Sequence, residues 1–174
     1  TSVVATSSGS MDSLAWWMSS VIGYGSVKMG LPGMACQVVF AAPLEAMADI
    51  KKSKTVGQLP LLPYSSMVLN GAIWMTYGLV LANPGIWLPN APALILGSYY
   101  WMTYYNHCPP GASHLPGTMS THFGAVGAIA AAVVGVAATM PVESAQTIIG
   151  VTGDIICVAM FSGPLAAIKT VIAE

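Results

Sequence analysis

From residue 27 to residue 172 the chain repeats one pattern: an apolar run about as long as a bilayer is thick, then a break carrying proline, glycine or lysine. The runs are 27–50, 62–82, 86–106, 122–140 and 145–172. A helix needs about 20 apolar residues to cross the hydrocarbon core. In lipid the backbone N–H and C=O groups must be satisfied within the segment, so runs of this kind fold as helices. The pattern predicts an all-α membrane protein with about five transmembrane helices.

Charge is correspondingly scarce. Of the 174 residues, 6% are charged and 55% are hydrophobic, whereas a soluble domain carries about 25% charged residues. The lipid bilayer is therefore the first expected partner. A formal net charge of −1 speaks against nucleic acid as another, because neutralising phosphates takes a basic patch.

The positive charge that exists is gathered in "KKSKTVGQLPLLPY" (51–64). Lys51, Lys52 and Lys54 are expected in a loop between the first two spans, and the positive-inside rule puts that loop on the cytoplasmic side or its organellar equivalent. Five spans return Lys169 to the same side. Glu45 and Asp49, four apart, share a helix face near the lysines and are expected to pair with them. The aromatic group Tyr99, Tyr100, Trp101, Tyr104 and Tyr105 at the end of the third run reads as an interfacial belt. The Trp16–Trp17 segment, 11–25, reads as an interfacial helix or as an extension of the first span. The opening "TSVVATSSGS" lacks a positive n-region and a long apolar core, so it is not an intact signal peptide. It is compatible with the remainder of a processed presequence, with a disordered terminus or with the edge of a fragment.

Reactive chemistry is thin. Cys36, Cys108 and Cys157 form no CxxC pair, which supports neither a zinc nor a redox site. His107, Cys108, His114 and His122 fit no common zinc spacing. No nucleophile, base and orienting group occur together, and no glycine-rich phosphate loop precedes a helix. No catalytic and no metal residues are assigned, and an enzyme is the least favoured class. The fourth run, with Gly124, Gly127, Ala131 and Gly135 three to four apart, suits close approach of another backbone.

Two stretches of the chain resemble one another: "CQVVFAAPLEAMADIKKSK" (36–54) and "CVAMFSGPLAAIKTVIAE" (157–174). Phe40, Pro43 and Leu44 correspond to Phe161, Pro164 and Leu165. Parallel repeats of this kind are one way in which transporters are built. Together with Pro43, Lys54-Thr55, Pro63-Tyr64, Leu69-Asn70 and Tyr77-Gly78, the arrangement resembles the SWEET family of sugar facilitators. After the N-terminal segment with its interfacial helix at 1–25, the resemblance implies a SWEET-like three-helix bundle at 26–106, a loop at 107–121, a linker helix at 122–141 and the first helix of an incomplete second repeat at 142–174. It also implies that Pro43, Pro63 and Pro164 are hinge prolines, and that Trp74 and Asn90 contact the sugar. A neutral sugar calls for amide hydrogen bonds and an aromatic face in a mostly apolar pocket. On residue chemistry alone, Asn90 also reads as a cap or turn residue and Trp74 as packing.

Relative to the family pattern the last two helices are not in this sequence. Two functions follow. One is a SWEET-derived accessory subunit of a larger organellar membrane complex, plastid photosynthetic or mitochondrial, packed against other membrane subunits. The other is a sugar uniporter, completed by a second copy or by further helices. Pigments or lipids are the cofactors compatible with the first, with His122 as a candidate pigment ligand; none is assigned. Cysteines introduced as Lys52→Cys and Glu174→Cys are expected to be labelled by an impermeant thiol reagent from the same side of the membrane. Labelling from opposite sides would overturn the five-span order.

Overall fold

Helix α2, Leu62–Val80, is the element on which the others pack. It makes its most extensive contacts with α3, Pro84–His107, then with α5, Val142–Ala173, and then with α4, Met119–Thr139. A short α1, Leu44–Ser53, follows a helical stretch at 35–41 and leans on α3. The computed structural model describes residue 33, residues 35–110 and residues 118–173, with side chains as far as Met160. The interfacial helix expected within 11–25 and the side chain of Pro164 lie outside the described residues.

The α2–α3 contact is set by glycines. A Cβ built on Gly71 would stand 2.9 Å from the amide nitrogen of Leu94, and one on Gly78 would stand 2.5 Å from that of Trp87. From the other side, a Cβ on Gly97 would stand 3.1 Å from the amide nitrogen of Val68. As the α2 partner rises from Val68 to Gly71 to Gly78, the α3 partner falls by the same steps from Gly97 to Leu94 to Trp87. The two helices are therefore antiparallel, in one register, at backbone contact. Lipid supplies no hydrophobic force between helices, so close approach through small residues is what holds them.

The reversal between them is tight. Ala82 takes the left-handed conformation, φ 48°. The Ala82 amide donates to the Leu79 carbonyl at 3.0 Å and the Asn83 amide to the Gly78 carbonyl at 2.8 Å, the paired bonds of a Schellman motif. Asn83 then caps α3 by accepting from the Gly85 amide at 3.0 Å.

The helix expected at 27–50 is interrupted. Residues 42 and 43 form a turn between the 35–41 stretch and α1, because Pro43 has no N–H to continue the ladder. The break releases carbonyls, and α3 collects one of them: the Tyr100 hydroxyl donates to the Phe40 carbonyl at 2.8 Å. One turn along, the Tyr104 hydroxyl donates to the Leu59 carbonyl, at 2.6 Å, in the α1–α2 connection. Both rings are fully buried, and Trp101 is nearly so. The aromatic group is thus not a belt as a whole. Tyr100, Trp101 and Tyr104 are core, and only Tyr99 and Tyr105 stay exposed. Tyrosines four apart share one helix face, and here that face meets released carbonyls.

The lysine corner also differs from expectation. Lys51 and Lys52 belong to the last turn of α1, where cations meet the carbonyl end of the helix. Only Lys54 has left it, as a left-handed cap with φ 61°. Glu45 and Asp49 do not pair with these lysines; among the described residues Lys51 instead holds its Nζ 4.7 Å over the Tyr99 ring. Val56 and Leu61 of the connection turn inward and are buried, and Pro63 opens α2 within its first turn.

Two described helical segments, Met119–Thr139 and Val142–Met160, are long and apolar enough to cross a membrane by length and composition. In α2 and α3 prolines, tyrosines and tryptophans stand among the aliphatic residues, and Ser65, Ser66, Asn70 and Thr103 are buried inside the bundle. Helix α4 is tied on at its start: the His122 imidazole Nδ1 and the Ser65 hydroxyl share a buried hydrogen bond of 2.8 Å, and Phe123 stacks on Trp101 at 4.4 Å. Further along, Val133 joins Leu69, Ile73, Ala145 and Ile149 in a second core shared by α2, α4 and α5.

Gly78→Ala is expected to lower the stability of the bundle by about 1–3 kcal/mol, the usual cost of overpacking, because its new methyl meets backbone rather than a movable side chain. Gly135 has open space where a Cβ would go, so Gly135→Ala is expected to leave stability unchanged. Unfolding in mixed detergent micelles measures both.

Candidate functional site

In α2 an amide and an indole stand one turn apart. Asn70 is buried, 5% exposed, and its Oδ1 accepts from Trp74 Nε1 at 3.1 Å. The bond satisfies two polar groups away from water and fixes the plane of the indole. Trp74 and Tyr77 lie edge to face, with ring centres 5.3 Å apart.

Both rings rest on glycines of α5. A Cβ on Gly153 would stand 3.0 Å from Cε2 and Cζ2 of Trp74, and one on Gly150 would stand 3.4 Å from Tyr77. Gly150 and Gly153 are three apart on one helix face. Helix α5 therefore runs antiparallel to α2, with a glycine surface shaped to two aromatic edges.

Toward the lysine end the same interface opens. Pro43, Pro63, Phe40, Tyr64, Met67 and Met160 line an apolar crevice of about 150 Å³. The 35–41 stretch, the start of α2 and the middle of α5 meet there. Pro43 and Pro63, far apart in sequence, are brought to one cavity.

Asn90 is placed differently. The α2–α3 register sets it at the depth of Trp74 and Met75, but its Nδ2 donates to the Ile86 carbonyl at 2.8 Å on its own helix. Trp74 is engaged by Asn70 and α5; Asn90 is engaged by α3. Gln37, of the 35–41 stretch, reaches α3 nearby through a 3.0 Å bond from Nε2 to the Pro89 carbonyl. His122, a candidate pigment ligand from sequence, has its Nδ1 committed to Ser65. Among the described residues no group of three or more His, Cys, Asp or Glu side chains could hold a metal ion.

Asn70 is the site residue that sequence reasoning passed over. Its signal was present: an amide four residues before a tryptophan, inside an apolar run, is placed to accept the indole N–H on one helix face. The chemistry of the whole is that of a binding surface. An indole, a second aromatic edge and an amide in apolar surroundings can hold a neutral, hydroxyl-bearing ligand by C–H stacking and hydrogen bonds.

Comparison with known proteins agrees with this chemistry. Residues 29–111 match the family model described as a sugar efflux transporter for intercellular exchange. A bidirectional sugar transporter, SWEET16 of Oryza sativa subsp. japonica, is 30% identical over 79 residues, covering 43% of this chain and 24% of the relative. Sugar transporter SWEET1 of Dictyostelium discoideum is 26% identical over 140 residues, 77% of this chain and 61% of the relative. Bidirectional sugar transporter SWEET8 of Arabidopsis thaliana is 28% identical over 145 residues, 76% of this chain and 58% of the relative. The chain thus spans between about a quarter and three fifths of the length of these relatives.

Asn70→Leu is expected to strand the Trp74 indole N–H without its acceptor, at a cost of about 1–3 kcal/mol. The indole N–H resonance of Trp74 in an NMR spectrum of the labelled protein is expected to shift in the same variant. An unmoved resonance would mean that the bond does not form in the membrane.

Proposed function

Residues 29–111 belong to the SWEET family, and from that premise we propose that the protein works as a sugar facilitator, passing a neutral mono- or disaccharide down its gradient through a path between the three-helix part and α5. The observation that carries the reading is the meeting of Trp74, held by the buried Asn70 amide, with the glycine face of α5, within a family domain whose relatives are described as sugar transporters. A path between helices needs walls that part and close again. Glycine against aromatic edges is a contact that separates without breaking hydrogen bonds, and prolines at helix ends are natural pivots.

In this reading Trp74 offers its ring to the C–H face of the sugar. Asn90, at the same depth, exchanges its bond to the Ile86 carbonyl for a sugar hydroxyl. Pro43 and Pro63 bound the crevice that widens as the path opens, with Pro164 as their counterpart in the second repeat. The accessory role in a plastid photosynthetic complex draws no support from relatives described as sugar transporters, and the multi-pass membrane setting suits a facilitator equally.

Sugar uptake into liposomes containing the full chain tests the proposal. Saturable uptake is expected, reduced at least about tenfold by Trp74→Ala and by Asn90→Ala, the scale of one lost hydrogen bond or stacking contact. Folded chain with no uptake would overturn the facilitator reading.

A further inference from the structure

Helix α5 carries a carboxylate where an apolar span least favours one. Asp154 lies within the membrane-length segment Val142–Met160. It is eleven residues beyond Glu143, about 16 Å along the helix axis at 1.5 Å per residue, so it falls near the middle of a hydrocarbon core about 30 Å thick. Ionisable groups at that depth are costly in lipid and mark pathways or partners.

The surroundings of Asp154 show which way it is turned. It follows Gly153, whose Cα lies against the Trp74 indole. Three positions on, Cys157 is half-buried. One turn further, Met160 lines the crevice with Phe40 and Pro43. Asp154 is itself exposed. The carboxylate therefore stands on the exposed side of α5, next to the Gly153 contact and at the depth where α2 presents Trp74. Among the described residues no ion pair to Asp154 is formed.

We propose that Asp154 is a substrate-contact and specificity residue, a carboxylate that accepts hydrogen bonds from two neighbouring hydroxyls of the sugar while Trp74 takes its C–H face; the assignment rests on the facilitator reading. The two oxygens of a carboxylate accept only, and vicinal hydroxyls donate, so the pairing is complementary. Hydrogen bonds to an ionised acceptor are roughly twice as strong as neutral ones. A site built this way rejects an analogue that lacks the hydroxyl, because the carboxylate is then left without its donors.

The experiment is zero-trans uptake in liposomes reconstituted with the full chain, comparing wild type, Asp154→Asn and Asp154→Leu. Each is run with a sugar and its deoxy analogues, with folded yield followed by size exclusion. Asp154→Asn is expected to raise KM about tenfold, the effect of one weakened charged hydrogen bond, with kcat little changed. Its preference for the sugar over the deoxy analogue should shrink by a similar factor. Asp154→Leu is expected to lose uptake while remaining folded. Wild-type KM and analogue preference in Asp154→Asn would overturn the assignment and leave the facilitator reading standing. A fall in folded yield with unchanged KM would also overturn it, by making Asp154 a packing residue or the partner of a cation on another chain. Absence of uptake by folded wild type would overturn both readings together.

Discussion

The rest of the structure depends on how closely α2 and α3 approach. Gly71, Gly78 and Gly97 bring the two backbones to a separation that a Cβ would not survive, and the single register they impose fixes the depth of each other residue on the pair. It puts Tyr100 and Tyr104 beside the broken first helix, Ser65 opposite His122, and Trp74 on the flank that α5 covers. In water such a pair would be held by burial of apolar area; between helices in lipid that force is missing, and fit takes its place.

Polar groups follow the second rule of the bilayer, that each must find a partner inside the protein. Thr76, Ser98, Thr139, Thr147 and Thr152 turn back on the carbonyls four residues before them. Tyr100 and Tyr104 do more than satisfy themselves. They take up the carbonyls of Phe40 and Leu59, which makes a proline-broken helix and a charged connection tolerable next to the core. The buried Trp101 Nε1 is an exception, with no acceptor, and its ring is held by stacking on Phe123 instead.

The contrast between the two sides of α2 bears on function. Toward α3 the contact is backbone against backbone, which does not slide. Toward α5 it is aromatic edge against glycine, with a crevice beginning below it at Pro43, Pro63 and Met160. A rigid pair beside a separable third element is the arrangement in which a packed core gives way at one defined surface rather than deforming throughout. Trp74 and Asp154 lie at one depth, with Asn70 one turn away along α2.

Much of this was written in the order of the residues. The apolar runs and the prolines at 43 and 63 set the helices and their order, because a period of about twenty apolar residues in lipid admits helices alone. What tertiary structure decided was the direction each side chain faces. Tyr100 and Trp101 looked like a membrane belt, since composition cannot separate an aromatic that meets headgroups from one that meets a released carbonyl. Lys51 looked like a partner for Glu45 or Asp49, since spacing cannot show that the nearest surface on offer is the Tyr99 ring. Asn70 went unassigned for the same reason, and nothing in the sequence marked the bond of Asn90 to the Ile86 carbonyl. In an apolar helix hydrophobic periodicity is nearly flat, so nothing in the run itself marks the face that will be inside. The glycine register between α2 and α3 marks it, and that register exists only when the two helices meet.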